Sequence, residues 1–145
     1  MTILHTETLH KGIDRAIMLA ESLDEGELQD LCDATVDAIE AGGGFGWLSP
    51  PPRDTLERYW QGLMLIPDRR VFVAKLDGII AGSIQLHLNP RNNEAQAHSC
   101  WLTTSFVAPW ARGHGLAGLI TSTVDRKSTR LNSSHSSVSR MPSSA

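Results

Sequence analysis

The sequence is poor in cysteine and has no strong excess of either charge. Its two cysteines, Cys32 and Cys100, lie far apart and lack the spacing of a metal site or a redox pair. We therefore predict two reduced thiols in a cytoplasmic protein. The formal net charge of -3 gives no field that would gather nucleic acid or an anionic membrane surface. Partners are expected among small molecules and peptides, with no nucleic acid and no membrane.

Long apolar runs are also missing. No stretch approaches the roughly 18 residues that span a bilayer. The first residues contain acids and histidines where a signal peptide would have a basic start and an apolar run, so no export is expected. What is present is a chain of 145 residues with 41% hydrophobic content, which is enough for the core of one domain.

Two helices are predicted in the first half of the chain. Ser22 and Glu25 have the spacing of a capping box, so a helix is expected to begin there. Apolar residues then recur at steps of three and four as far as Ile39, and residues 42–44, all glycine, end the helix. Pro52 suits the first turn of a second helix. Four residues share the apolar face of that helix: Leu56, Tyr59, Trp60 and Leu63.

Strand patterns surround these helices. The short apolar run 16–20 precedes them, and residues 1–12 are expected to form a loose lead-in. After them, VFVAKL and IIAGSIQLHL are joined by Asp77 and Gly78, the strongest short signal for a hairpin. HSCWLTTSFV is a third strand of this group and stops at Pro109. The order predicts an α+β domain with a mostly antiparallel sheet.

A glycine-bearing loop and a helix start follow the last strand. The first amides of such a helix lack intrahelical partners and bind phosphate, aided by the helix dipole. Gly113 and Gly115 allow a close backbone approach, and Arg112 adds positive charge. Taken alone, the pattern also fits a purely structural turn. It is not a P-loop, because no Gly-Lys-Ser/Thr follows, and the antiparallel context argues against a dinucleotide fingerprint.

The run FVAPWARGHGLAGLI resembles the central motif of the GNAT superfamily of N-acetyltransferases. In that motif a strand ends in a Val-x-Pro-like step, and Arg/Gln-x-x-Gly-x-Gly/Ala then opens a helix. The hairpin VFVAKLDGIIAGSIQL is similar to the second and third strands of the family, so the resemblance covers about residues 15–124. It implies a mixed, mostly antiparallel sheet flanked by helices, with acetyl-CoA as co-substrate and no metal.

The resemblance also implies a coenzyme site. The backbone amides of the loop would hold the pyrophosphate of acetyl-CoA. In the family a bulge splays the preceding strand from its neighbour, and the pantetheine arm pairs with the exposed edge. An N–H near Phe106 would polarise the thioester carbonyl. The predicted coenzyme-binding residues are Ser105, Phe106, Val107, Arg112, Gly113, His114, Gly115, Leu116 and Ala117.

The implied reaction is attack of a primary amine on the acetyl thioester, and a base must take the amine's proton. Glu94 and His98 are the candidates, each against an alternative: a solvated loop glutamate and a packed strand histidine. Phe45, Trp47 and Trp60 are a candidate apolar wall for the acceptor. A non-catalytic acyl-CoA-binding or regulatory module is the alternative function, and a structural domain with a chance glycine loop is a third. The acceptor and the oligomeric state, a homodimer included, stay open.

The last 21 residues, 125–145, contain eight serines and little that could pack, so a disordered tail is predicted. They also resemble the translation of a common sequencing adapter. Asp125 through His135 and Ser139 through Ala145 match it, and the three residues between fall where the adapter carries its variable index. We therefore expect a partial N-acetyltransferase domain over residues 13–124, followed by a non-native tail.

The GNAT resemblance implies further elements after the coenzyme loop: a parallel strand, another helix and a final strand pair. The tyrosine that commonly protonates the departing thiolate belongs to that part, and Tyr59 does not match it. On this basis the domain is expected to be incomplete at its C-terminus. The 145-residue chain is then expected to show little or no acetyl transfer.

Overall fold

The computed structural model describes residues 1–8, 12–42, 47–88 and 100–131. In this part of the chain one five-stranded sheet has the order β1-β2-β3-β4-β5, and every neighbouring pair is antiparallel. The strands are β1 (Thr2–Thr8), β2 (Asp14–Ala20), β3 (Arg69–Leu76), β4 (Ile79–Leu88) and β5 (Cys100–Val107). The α-helices are α1 (Glu25–Glu40), α2 (Arg53–Leu63) and α3 (Leu116–Leu131). The predicted α+β class with its mostly antiparallel sheet is confirmed.

The sheet separates two hydrophobic layers. Val71 and Val73 of β3 pack with residues of α1 and α2, whereas Phe72 and Ala74 pack with residues of α3. Successive side chains of a strand point to opposite faces, so this division follows from the strand period of two. Because helices cover both faces, the central strand is apolar on both sides. None of the described helices is long and apolar enough to cross a membrane.

The hairpin between β3 and β4 forms where the Asp-Gly pair predicts it. Asp77 has a φ of 51° and Gly78 a φ of 82°. A two-residue turn with positive φ at both central positions matches the twist of the flanking strands, and aspartate followed by glycine tolerates it best. The hairpin prediction is confirmed.

The prediction of a loose lead-in over residues 1–12 is wrong for β1. Thr2–Thr8 pairs with β2 as far as the Thr8–Asp14 pair, and the Thr8 hydroxyl donates to the Asp14 carboxylate at 2.6 Å. Only Leu4 of this strand packs against the core. An edge strand held by backbone pairing carries almost no hydrophobic signal, so its sequence looks like a loop.

The capping box of α1 lies two residues later than predicted. Asp24 and Glu27 form it: the Glu27 N–H donates to the Asp24 carboxylate at 2.7 Å, and the Asp24 N–H donates to the Glu27 carboxylate at 3.0 Å. Ser22 and Glu25 have the same spacing but do not cap the helix. At the other end Gly42 has a φ of 88°, as predicted for a glycine that terminates a helix.

The prediction of disorder is wrong for the start of the tail, because α3 continues to Leu131. Between Gly118 and Leu131 the sequence has neither glycine nor proline, so nothing local stops the helix. Burial stops earlier, since Val124 is fully buried and the next three residues are not. Residues 132–145 lie outside the described residues, and the non-native origin of the tail stays a prediction.

The pairing of β5 with β4 contains one extra residue. Gln85 pairs with Thr103 and Ser83 with Phe106, so three steps along β5 oppose two along β4. Such a bulge bends a strand and increases its local twist. The bulge that the family resemblance implies is therefore confirmed by the register.

Beyond the bulge, β5 returns unusually close to β4. Gly82 pairs with Val107, and a Cβ on Gly82 would lie 2.5 Å from the Phe106 carbonyl oxygen. Glycine is the residue that permits such an approach, because any side chain would begin inside the neighbouring backbone. The neighbouring strand β5, rather than β4 itself, therefore requires a glycine at position 82.

Two polar residues of β4, Gln85 and His87, point to one face because they lie two positions apart. Gln85 is 1% exposed and donates to the Tyr59 hydroxyl at 3.1 Å. His87 Nε2 lies 2.5 Å from the Thr103 hydroxyl of β5. Burial, together with the nearby charge of Arg69, lowers the pKa of His87 below its ordinary value of 6.5. The imidazole is therefore neutral near pH 7.

Replacing Gly82 by alanine is expected to lower the free energy of unfolding by about 1–3 kcal/mol, because β5 must move away from the new methyl group. Gly62→Ala is the matched control: it lies within α2 and has nothing within 4 Å of the added Cβ. That change should stabilise the protein by about 0.5–1 kcal/mol. Urea denaturation followed by tryptophan fluorescence measures both. Equal stability of Gly82→Ala and wild type would contradict the close approach.

The stability of the protein is expected to fall as the pH drops below about 6.5, with part of that fall due to His87. The unfolded chain takes up a proton at the ordinary imidazole pKa of 6.5, whereas the folded protein resists protonation until a lower pH. Protons therefore favour the unfolded state in this window. Denaturation at about pH 7.5 and about pH 5.5 should show a smaller difference for His87→Gln than for wild type. An unchanged difference would show that His87 is not held neutral by the fold.

Candidate functional site

The candidate site lies in the segment that connects the end of β5 to the start of α3. Ala108 follows β5, and its N–H donates to the Ala81 carbonyl of β4 at 2.7 Å. A single 3-10 turn, Pro109–Ala111, then redirects the chain, and the Ala111 N–H donates back to the Ala108 carbonyl at 3.0 Å. The loop of residues 112–115 connects this turn to α3. The strand end and the helix start are thereby brought side by side.

Val107 presents its backbone to an open sheet edge. Within the described residues β5 pairs only with β4, so its other edge is free. The Phe106 carbonyl lies against Gly82 of β4, and the Ala108 N–H donates to β4. In a trans peptide the C=O of one residue and the N–H of the next point in opposite directions. The N–H and C=O of Val107 therefore both point to the open edge, where an extended ligand could pair with them.

The side chains of the three predicted edge residues lie in different environments. Ser105 is exposed and lies in the bulge. Phe106 is buried and packs against Trp60, with ring centroids 6.3 Å apart. Its side chain therefore belongs to the α1 and α2 layer, and only its main chain borders the site. Val107 is half-buried against the α3 layer.

The glycine loop has the geometry of an anion-binding helix start. Gly113 and Gly115 have φ values of 87° and 72°, in the left-handed region that favours glycine. The first turn of α3 closes with the Leu119 N–H donating to the Gly115 carbonyl at 3.0 Å. Leu116 is 2% exposed and anchors the helix in the α3 layer, while Arg112 and Ala117 are exposed. The first amides of α3 thus sit at the surface, where they can bind phosphate.

His114 takes part in the loop through its ring and its carbonyl. Its Nδ1 lies 3.1 Å from the Ala111 carbonyl oxygen, so the imidazole folds back on the preceding turn. Its own carbonyl accepts a hydrogen bond from Arg15 Nη1 of β2 at 2.9 Å. Both contacts shape the backbone of the loop. The ring does not extend toward the start of α3.

Arg15 is a site residue that sequence reasoning missed. Its side chain is 15% exposed and forms an ion pair with Glu7 of β1, Nη2 to Oε2 at 2.7 Å. The hydrogen bond from Arg15, together with one from His5, lowers the pKa of Glu7. Arg15 and His114 are 99 positions apart, and no local pattern links them. No signal in the sequence could have paired them.

The catalytic candidates Glu94 and His98 lie outside the described residues, as does Phe45 of the predicted acceptor wall. Trp60 of that wall is fully buried and donates its indole N–H to the Thr35 hydroxyl at 3.1 Å. It is a core residue and cannot touch an acceptor, so that part of the prediction is wrong. Its burial follows from the apolar helix face on which it lies.

Trp47 and Tyr59 continue the aromatic cluster outward from Trp60. Both are half-buried, and their ring centroids lie 5.4 Å apart in an edge-on arrangement. Tyr59 packs on Trp60 at 5.1 Å. Among the described residues no group of three histidine, cysteine, aspartate or glutamate side chains could hold a metal ion.

The chain matches the Acetyltransferase (GNAT) family over residues 30–131. It is also 56% identical over 114 residues to a protein of Azospirillum brasilense described as an uncharacterized N-acetyltransferase in the hisH-hisA intergenic region. That alignment covers 79% of this chain and 68% of the relative. The family match covers most of α1, all of α2, the sheet from β3 onward, the candidate site and α3.

Solved structures agree in fold. RimL, a ribosomal L7/L12 alpha-N-protein acetyltransferase in complex with coenzyme A, superposes with a TM-score of 0.66 at 12% identity, over 89% of this chain and 68% of that one. A ribosomal-protein-alanine N-acetyltransferase from Brucella melitensis gives 0.59 at 20% identity, over 80% and 68%. At such identities the likeness concerns the fold alone. The family match and the close relative carry the assignment, and the chain belongs to the GNAT family of N-acetyltransferases.

Proposed function

We propose that this protein transfers the acetyl group of acetyl-CoA to a primary amine, and that residues 105–107 and 112–117 bind the coenzyme. The observation that carries the proposal is the pairing of an open backbone edge at Val107 with a glycine-bearing helix start a few residues later. Coenzyme A has an arm with two amide groups and, beyond it, a pyrophosphate. The open edge at Val107 suits the arm, and the helix start suits the pyrophosphate. The two features follow one another along the chain in the same order as the two parts follow along coenzyme A.

The pyrophosphate would be held by the backbone amides from Arg112 to Ala117. Left-handed glycines leave room for phosphate oxygens to approach the main chain, and the dipole of α3 favours negative charge there. The exposed guanidinium of Arg112 adds a positive charge at the rim. Leu116, buried beneath the helix start, keeps these amides in place. His114 contributes through its backbone, since its ring contacts Ala111.

The pantetheine arm would lie along β5. The N–H and C=O of Val107 can pair with its amide groups as a neighbouring strand would, while Ser105 and Phe106 border the arm. The acetyl carbonyl would then come near the bulge, where a main-chain N–H stabilises the oxyanion that develops. Because these donors are fixed by the sheet, they require little reorganisation during the reaction.

In the reaction the amine nitrogen attacks the thioester carbonyl, a C–N bond forms, the C–S bond breaks, and the thiolate leaves. The nucleophile is the neutral amine, so the ammonium form of the acceptor must first give a proton to a base, directly or through water. Glu94 and His98 remain the proposed bases. Two structural relatives are named as acetyltransferases of ribosomal proteins, and another as an aminoglycoside acetyltransferase. These names support a peptide or small-molecule amine as the acceptor.

We expect the 145-residue chain to bind acetyl-CoA saturably in isothermal titration calorimetry, because residues up to Ala117 form both the glycine loop and the Val107 edge. An absence of binding would contradict the proposed site. Transfer should be measured as thiol release with peptide and small amines, on the protein encoded by the gene resequenced across codon 124. Release supports the transferase, whereas binding without release by that protein supports a non-catalytic acyl-CoA-binding module.

Val107→Pro should weaken the binding of coenzyme A about tenfold, because proline removes the N–H that faces the open edge and leaves a ligand acceptor unpaired. An edge-strand N–H that faces away from the sheet can be lost without breaking the ladder. The affinity for 3′-phospho-ADP, which lacks the pantetheine arm, should stay unchanged. Val107→Ala keeps the N–H and is the matched control. Equal affinities of Val107→Pro and Val107→Ala for coenzyme A would contradict the role of this N–H.

A further inference from the structure

The guanidinium of Arg15 connects the first two strands to the coenzyme loop. Arg15 lies in β2, directly opposite Glu7 of β1 in the strand register, so both side chains leave the same face of the sheet. Nη2 binds the Glu7 carboxylate at 2.7 Å, and Nη1 donates to the His114 carbonyl at 2.9 Å. With its side chain only 15% exposed, this arginine is packed into position rather than freely solvated.

Glu7 is itself held from a second side. Its Oε1 lies 2.8 Å from His5 Nε2, two residues earlier in β1. The carboxylate therefore bridges His5 and Arg15, which restricts the rotamers open to the arginine. Charge-assisted hydrogen bonds of this kind are short and roughly twice as strong as neutral ones. The end of the arginine that meets the loop is thus fixed by β1 before any ligand binds.

The contact with His114 determines the orientation of one peptide plane. The described part of the chain has no cis peptide bond, so the His114 carbonyl and the Gly115 N–H point in opposite directions. Because the carbonyl points to Arg15, the Gly115 N–H points away from β2. It joins the outward amides at the start of α3.

The contact between Arg15 and the loop also limits which residue can occupy position 115. A Cβ at this position would lie 3.0 Å from Arg15 Nη1, and the φ of 72° is one that other residues rarely adopt. Glycine here therefore serves two ends at once: it allows the left-handed turn, and it leaves the guanidinium room to reach the preceding carbonyl.

We propose that Arg15, braced by Glu7, is a positioning residue that holds the His114–Gly115 peptide so that the Gly115 N–H faces the coenzyme pyrophosphate. This inference rests on the proposed coenzyme site. Arg15 does not itself contact the ligand in this role. It keeps a flexible glycine peptide from rotating, so that the amide is in place when the pyrophosphate arrives.

The test measures binding to purified protein by calorimetry with two probes, coenzyme A and 3′-phospho-ADP. Arg15→Ala should weaken both about tenfold, because each probe contains the pyrophosphate that the misplaced amide would serve. This differs from Val107→Pro, which should affect coenzyme A alone. Arg58→Ala removes the same charge from an exposed helix pair with Asp54 and should bind both probes as wild type does.

A second readout follows the peptide directly. In wild type the Gly115 amide resonance should shift in ¹H–¹⁵N spectra when 3′-phospho-ADP is added. In Arg15→Ala it should shift much less at matched saturation. Arg15→Lys keeps the charge but lacks the fork that reaches Glu7 and His114 together, so it should behave like the alanine variant. It also provides the test if Arg15→Ala fails to fold.

The inference is overturned if the Arg15 variants bind both probes as tightly as wild type, or if Arg15→Lys restores wild-type affinity, since charge alone would then suffice. An undiminished Gly115 shift in the variants would overturn it as well. Failure of wild type itself to bind either probe is a different result: it would remove the proposed coenzyme site, and this inference with it.

Discussion

The site depends on how β5 is held to β4 on both sides of one extra residue. Before the bulge Thr103 pairs with Gln85, and beyond it Phe106 pairs with Ser83 and Val107 with Gly82. At Gly82 the approach is so close that no side chain would fit. The extra residue of β5 must therefore be accommodated between the Thr103 and Phe106 pairs. The strand bends there, and within the described residues the backbone of Val107 faces an open edge.

The candidate site is therefore formed mainly by backbone groups. Several residues of the candidate site direct their side chains into the protein: Phe106 into one hydrophobic layer, Leu116 into the other, and His114 onto the preceding turn. Their side chains place the main chain, and the main chain supplies donors and acceptors. Preorganised backbone dipoles need not reorient when a charged ligand or an oxyanion forms beside them.

Much of the fold could be predicted because its signals are local. The Asp-Gly turn, the glycines after α1 and the start of α3 each depend on residues within a few positions of one another. The errors have physical reasons too. β1 is held by an edge ladder that needs no apolar pattern, and two candidate capping boxes with equal spacing compete until packing selects Asp24. Trp60 looked available to an acceptor, yet the helix face that carries it is buried.

The sequence by itself determined the fold class, the family and the position of the glycine-bearing loop, because the signals of the hairpin, the helix starts and the glycine motif each lie within a short segment. Only the tertiary structure decided which backbone groups of the candidate site point away from the sheet and which residues support them. Arg15 meets His114 across 99 positions, and Gly82 meets Phe106 across a sheet. Such contacts follow from strand register and from the packing of α3 against the sheet, and neither has a local signature in the chain.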